Sequence, residues 1–283
     1  MEILRTKNFA KSITDLTFTD YYYRLMMLAR CVFKWENLPK NIDEKWIEKF
    51  LFMEGKCMFF DDAEKGLMVT QCVGDSDINL YGEPKFLTPH GIGYTGKALE
   101  IGKSCVLIRN NDDMIPTAFT LKLFAYRLAE ISRTIDINIE AQKTPTLLTG
   151  SEKQKLSLKN IYKQWDGFEP VIFGDKSLEG SDLLKVLKTD APIVFPQLQV
   201  EKQAIWNECL TFLGINNANT EKRERLITDE AKSNNIHIDL SADCFLKSRE
   251  LAAKEINDLF GTEIKVSKRE RGEIACMLNT QNS

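Results

Sequence analysis

The sequence predicts a mainly helical α+β fold. Three observations predict it. Long stretches place apolar residues every three or four positions, as a helix with one buried face requires. Between residues 41 and 114, short strand-like runs are separated by Gly, Pro, Asn and Asp. The 283 residues are 43% hydrophobic, enough for one elaborate core or two modest ones.

The elements follow in order. A helix is expected to start between Ser12 and Thr19, because Ser12-Ile-Thr-Asp15 has capping-box spacing and Thr19-Asp20 is a second start. Leu25, Leu28, Val32 and Trp35 extend it at helical spacing until Asn37-Leu38-Pro39 stops it. A second helix is expected over Asp43 to Met53. Strands are expected at Lys56–Phe60, Gly66–Val73 and Ser104–Arg109, with turns at Gly74-Asp75, at Gly82-Glu-Pro84 and over 110–113. Pro116 suits a first helical position. From it, Leu121, Phe124, Leu128, Ile131, Ile135 and Ile139 make a strut to Lys143, about 40 Å long at about 1.5 Å per residue. Arg127, Glu130, Arg133 and Asp136 ride its other side at supportive spacing.

Thr144-Pro145 ends the strut. Leu147 to Phe195 mixes short elements: helices at Leu158–Trp165 and Ser181–Leu187, and strands at Val171–Phe173 and Ile193–Phe195. A second strut is expected from Leu198 to Leu213, with Trp206, Cys209, Leu210 and Leu213 on one face and Gly214 as its cap. Ile215 to Asp239 is polar with no hydrophobic face and reads as a functional or disordered segment. A helix from Phe245 to Phe260, a strand at Glu263–Val266 and a polar tail complete the chain.

Composition excludes several classes. The charged fraction is 28% and the formal net charge is −3, so no basic face large enough for tight, sequence-indifferent DNA binding dominates the balance. Seven cysteines, Cys31, Cys57, Cys72, Cys105, Cys209, Cys244 and Cys276, include no CxxC pair; they read as reduced thiols used as small hydrophobes. The N-terminus lacks a signal-peptide pattern, and Leu25 to Phe33 is too short to span a bilayer, so a cytoplasmic site of synthesis is expected.

No catalytic motif is complete. Gly91-Ile-Gly-Tyr-Thr-Gly96-Lys97-Ala98 has the glycine and lysine spacing of a phosphate-binding loop, but Ala98 stands where a magnesium-binding Ser or Thr is needed. Leu87-Thr-Pro-His90 before it is a poor buried strand, so the string reads as a glycine-rich turn. His90 and His237 have no partners nearby in sequence, and Asp61-Asp62 and Asp112-Asp113 read as turn residues. No catalytic residue, cofactor or metal is expected. Lys222, Arg223 and Arg225 alternate with Glu221 and Glu224, which on one chain is a solvated surface. In a ring, symmetry multiplies them into a circle of charge.

Several strings in this order resemble a known family: Phe33-Lys-Trp-Glu-Asn-Leu-Pro39, Ala141-Gln-Lys-Thr-Pro145, Leu156-Ser-Leu-Lys159, Pro170-Val-Ile-Phe173, Lys188-Thr-Asp-Ala-Pro192, Trp206-Asn-Glu208, Thr211-Phe-Leu-Gly-Ile215, Asn217-Ala-Asn219 and Phe245-Leu-Lys-Ser-Arg-Glu250. The family is the portal, upper collar or head–tail connector protein of small podophages (Picovirinae type) that prime replication with a protein. The resemblance implies a non-enzymatic subunit of a dodecameric ring with a central DNA channel, at the head–tail junction of the virion. It divides the chain into an N-terminal arm and first helix (1–33), an α+β wing (34–115), a first stem helix (116–143) and a clip region at the narrow end (144–197). A second stem helix (198–214), a channel loop (215–240) and a C-terminal wing or crown helix with tail (241–283) follow.

By the same resemblance, Lys188, Lys222, Arg223 and Arg225 face the DNA. Arg5, Lys7 and Lys11 form an arm that reaches motor RNA or DNA. The family's second channel lysine falls on Gln197. Implied partners are other copies of the chain, phage double-stranded DNA, the packaging ATPase, the major capsid and scaffolding proteins, and lower collar or tail proteins, with no membrane. Two alternatives stand beside this: a monomeric nucleic-acid-binding module and a P-loop-like nucleotide-binding protein.

Overall fold

In this computed structural model the described residues are 8–142, 146–148, 184–186, 192–217, 228–270 and 273. The chain divides into two compact units, one of residues 1–130 and 201–283 and one of residues 131–200.

The first unit opens with helix α1 (Asn8–Arg30), which buries Tyr21, Leu25 and Ala29. The sequence placed Val32 and Trp35 on this helix, but it ends at Arg30. Phe33–Glu36 instead forms strand β1, which pairs antiparallel with β10 (Lys265–Lys268) from near the other end of the chain. The alternative partner explains the difference. Arg269 N–H donates to the Val32 carbonyl (2.8 Å), and the Trp35 N–H donates to Glu44 (3.0 Å), bonds that a continued helix would forgo.

Helix α2 (Glu44–Glu54) starts where expected. The Asp43 carboxylate accepts from Lys45 N–H at 2.9 Å, satisfying a free donor of the first turn. Gly55 ends it at φ 75, and a Cβ there would stand 1.8 Å from the Met114 carbonyl oxygen. Only glycine fits this position.

Strands β2 (Lys56–Asp62), β3 (Gly66–Gly74), β4 (Phe86–Gly91), β5 (Tyr94–Thr95), β6 (Leu99–Glu100) and β7 (Cys105–Arg109) form one antiparallel sheet, in the order β5-β4-β3-β2-β7 with β6 also on β4. The period of two sorts its side chains. Cys57, Phe59, Val106 and Ile108 pack under Ile47 and Leu51 of α2 and under Ala252, Ala253 and Ile256. Met58, Phe60, Cys72, Leu87, Cys105 and Leu107 make the core of the other face. Leu87-Thr-Pro-His90, read from sequence as a poor strand, lies in β4. Pro89 stands opposite Cys72, and Leu87 and Pro89 are buried in alternation with their neighbours.

Helix α3 (Thr117–Gln142) follows Pro116 as predicted and, at 26 residues, is about 39 Å long. Its last residues belong to the second unit. There Asn138 is buried, donating to the Pro192 carbonyl (2.9 Å) and accepting from Val194 N–H (3.2 Å). Strands β8 (Thr146–Leu148) and β9 (Leu184–Val186) pair antiparallel in that unit. The helix expected at Ser181–Leu187 is therefore a strand where it is described. Residues 193–195 are not a strand either, since helix α4 (Phe195–Phe212) begins at Phe195. The helix expected at 158–165 and the strand at 171–173 lie outside the described residues.

At the end of α4, Ile215 N–H donates to Leu210 O (2.8 Å) and Gly214 N–H to Thr211 O (3.0 Å), the paired bonds of a Schellman motif, with Gly214 at φ 72. The last helix, α5, runs from Thr228 to Phe260 over 33 residues. The sequence started it at Phe245, because Thr228–Leu240 is polar. Ile238 and, just beyond that stretch, Ala242 are nonetheless buried.

Of the cysteines, Cys31, Cys57, Cys72, Cys105 and Cys209 are buried free thiols and Cys244 is exposed; Cys276 lies outside the described residues. Burial pushes the Cys72 and Cys209 thiols up to about 12, which suits small hydrophobes and not nucleophiles.

Candidate functional site

The residues expected to meet DNA fall largely outside the described part. Lys188, Lys222, Arg223, Arg225, Arg5 and Lys7 all lie there. Lys11 falls within α1, and Gln197 is exposed on α4. Residues 218–227, which carry three of these cations, lie between the capped end of α4 and the start of α5.

The described residues do contain a fixed joint that sequence reasoning missed. Arg249 on α5 and Glu48 on α2 form a two-pronged ion pair at 2.9 Å for each bond, with both side chains 3% exposed. Arg249 also donates to the Asn110 carbonyl (3.0 Å), the Asn110 side chain (3.1 Å) and the Phe245 carbonyl (3.0 Å). Trp35 donates its indole N–H to Glu48 (2.9 Å), and the Phe33 ring lies 4.4 Å from the Arg249 guanidinium. Asn110 then donates to Thr117 Oγ1 (2.9 Å), at the first residue of α3. Every donor of this guanidinium faces an acceptor, so the buried charge is matched. Through it β1, α2, the end of β7, the start of α3 and α5 are pinned at one point. The only sequence signal was its membership in two collinear strings, Phe33–Pro39 and Phe245–Glu250.

A second joint uses Arg269, which donates to Glu44 and to the carbonyl oxygens of Phe33 and Cys31. It holds the β1–β10 ribbon to α2.

From Thr117 to Glu130, α3 is apolar on more than its core side. Leu121, Phe124, Ala125 and Leu128 are buried, whereas Phe119 (68% exposed), Leu123 (59%) and Tyr126 (58%) recur at steps of four and three on the other face. Helix α5 adds Ile236, Leu240 and Leu251 on one exposed face. A helix apolar nearly all round belongs inside a larger assembly. Arg127, on this helix, pairs with Glu208 of α4 at 3.3 Å, while Arg133 and Asp136 pair at 2.7 Å as their spacing predicted.

The glycine-rich string is a hairpin. Gly91 pairs with Tyr94 around Ile92-Gly93, and β6 follows instead of a helix, so no helix N-terminus is available to cradle phosphate. Asp62 accepts the Tyr94 hydroxyl (2.6 Å) and the N–H groups of Glu64 and Lys65 (3.0 Å each). Asp112 accepts from Ser248 (3.2 Å). These carboxylates serve turns and packing. Among the described residues no three His, Cys, Asp or Glu side chains gather as a metal site, and no helix is long and apolar enough to cross a membrane.

The family model described as Phage Connector (GP10) matches residues 2–273. The chain therefore belongs to the phage connector family. It is a portal, or head–tail connector, protein of the phage virion, seated at the head–tail junction, and that family is generally non-enzymatic. Among solved structures, the portal and tail of native bacteriophage P68 matches with a TM-score of 0.51 at 16% identity, covering 96% of this chain and 92% of that one. This likeness shows a portal-like fold. A portal protein of the HK97 family from Corynebacterium diphtheriae matches with a TM-score of 0.43 at 12% identity, covering 98% of each chain. A native gene transfer agent particle matches at 0.44 and 10% identity, covering 98% of this chain and 88% of that one.

Proposed function

We propose that the chain is one subunit of a dodecameric cone through which phage double-stranded DNA enters the head and later leaves it, in a small podophage of the protein-primed type. The observation that carries this reading is the second apolar face of α3. Phe119, Leu123 and Tyr126 stand exposed, and a ring of copies would cover them. In this reading α3 and α4 are the stem helices, and the residues between them, from 144 to 194, form the clip that meets the packaging ATPase and then the lower collar and tail. The sheet module with α5 is the wing against capsid and scaffolding proteins.

Residues 218–227, between α4 and α5, supply the channel loop, a shorter stretch than the 215–240 expected because α5 already begins at Thr228. By symmetry Lys222, Arg223 and Arg225 become a circle of charge. Lys188 adds a lower ring, and Arg5, Lys7 and Lys11 form the arm. A net charge of −3 suits a conduit, because strong phosphate neutralisation would hold DNA in place. Pumping is left to the external ATPase, and the loops hinder backward slippage.

Negative-stain electron microscopy of the purified protein tests the assembly. Rings with a central hole and about twelve-fold averages are expected; solid monomers or dimers across salt conditions would overturn the reading. Replacing Lys222, Arg223 and Arg225 together with Gln should leave the rings intact and lower retention of packaged DNA. Unchanged retention in a packaging assay would remove the slippage role.

A further inference from the structure

The connection between β3 and β4 is built as a rigid loop around one side chain. Asn79 Oδ1 accepts the N–H groups of Tyr81 (2.8 Å) and Glu83 (3.0 Å), and its Nδ2 donates to Glu83 Oε2 (2.9 Å). Backbone bonds from Asn79 N–H to Glu83 O (2.8 Å) and from Gly82 N–H to Asn79 O (3.1 Å) close the loop. Ion pairs brace it outside: Lys85 with Asp77 (2.9 Å), and Arg109 with Glu83 (2.8 Å). All of this framework presents Leu80 and Tyr81 to solvent, 94% and 86% exposed. A loop backbone already held in place leaves less to order when its side chains seat against a partner.

The same unit also carries a receptor of matching chemistry. A cleft of about 320 Å³ lies where the start of α2 rides over the start of β3. Trp46, Phe50, Met68 and Val69 give it apolar walls, and Asp43 and Lys65 give polar partners for a phenol hydroxyl. Met68 and Val69 lie near the start of β3, whereas the loop leaves its far end, about 17 Å from Val69 at about 3.3 Å per residue. Knob and cleft therefore cannot meet within one chain. Between copies they make a head-to-tail contact, the kind that repeats and closes into a ring.

We propose that Leu80 and Tyr81 of each subunit seat in the Trp46–Phe50–Met68–Val69 cleft of the next, locking wing to wing around the ring. The proposal rests on the ring reading above and adds to it a specific contact, remote from the stem helices.

Disulfide trapping tests it, in a Cys244→Ser, Cys276→Ser background that removes the exposed thiol among the described residues and the one outside them. A chain with both Trp46→Cys and Tyr81→Cys should form, on mild oxidation, a ladder of multimers on a non-reducing gel. Mass spectrometry should find the 46–81 linkage. Each single variant should give no ladder. Rings in the microscope without the 46–81 linkage would overturn the knob contact while leaving the ring reading intact, and would point the loop at another virion protein. Absence of both rings and linkage would overturn both. Linked chains without closed rings would support the contact and count against the ring. Independently, Leu80→Asp with Tyr81→Asp should cut ring yield at least about tenfold with no change in the subunit's unfolding midpoint, since both side chains are exposed. Unchanged ring yield would overturn the proposal.

Discussion

Glu48 and Arg249 show how much one pair can decide. Both are buried, so removing one partner leaves an unmatched charge in the core. Arg249→Met should lower the unfolding free energy by about 3–5 kcal/mol, and adding Glu48→Leu should restore most of it, as read from urea denaturation at fixed protein concentration. Tyr94 and Asp62 make a different, more exposed pair. The hydrogen bond to Asp62 pushes the Tyr94 phenol up from 10 to about 12, and the Tyr94 hydroxyl, with the N–H groups of Glu64 and Lys65, holds the Asp62 carboxyl below its ordinary value. Because the folded phenol keeps its proton more tightly, its contribution is whole below pH 10 and lost as pH rises from 10 to about 12. The carboxylate contribution has the opposite sign: it is present above the usual carboxylate range and lost as pH falls through it. A phenol titration followed by ultraviolet absorbance should place Tyr94 near 12, and Asp62→Asn should return it toward 10.

At the level of elements, the close approach of α4 and α5 depends on Gly214. Its φ is 72, and an added Cβ would meet the Ala242 Cβ at 2.5 Å and its backbone at 2.9 Å. Gly214→Ala should therefore cost more than the about 1–2 kcal/mol of a left-handed backbone alone. Pairing it with Ala242→Gly should recover the steric part, measurable as thermal midpoints. The elements readable from sequence were those whose pattern and punctuation agreed: α2 with Asp43 and Gly55, β2, β3 and β7, α3 after Pro116, and α4 up to Gly214. Those misread were settled by partners distant in sequence. Val32 and Trp35 fit a helical period, but Trp35 follows β10 and Glu44 into a strand and Val32 lies in the bend that leads to it. Pro89 argues against β4, yet β4 is held by the register of Cys72 opposite it. Polar Thr228–Leu240 is helical because α5 continues from a well-packed C-terminal half. The expected DNA contacts could be proposed from the sequence only through resemblance, since no local pattern marks Lys188 or Arg225 as anything but surface. The Glu48–Arg249 joint has no local signature at all, as its partners are 201 residues apart.

For the whole molecule, the decisive surface is the one that a single chain leaves uncovered. Replacing Phe119, Leu123 and Tyr126 together with Ser should abolish ring assembly, each contributing about 1 kcal/mol or more per contact, while the isolated subunit keeps its circular dichroism spectrum. Mass photometry of both proteins would read this directly; rings of normal yield would show that α3 meets its neighbours through another face. The ribbon of β1 and β10 has a consequence of its own. Phe33 is paired with Lys268, and Arg249 and Arg269 close onto residues made more than two hundred positions earlier. A ribosome therefore releases the sheet and α2 long before it releases what seals them. The module stays open at Glu44 and Glu48 until Arg249 and Arg269 emerge, and contacts this distant in sequence form late. On the ring reading proposed above, a subunit reaches its assembly-competent shape only once Arg249 and Arg269 have been made, which keeps chains still lacking them out of a growing assembly.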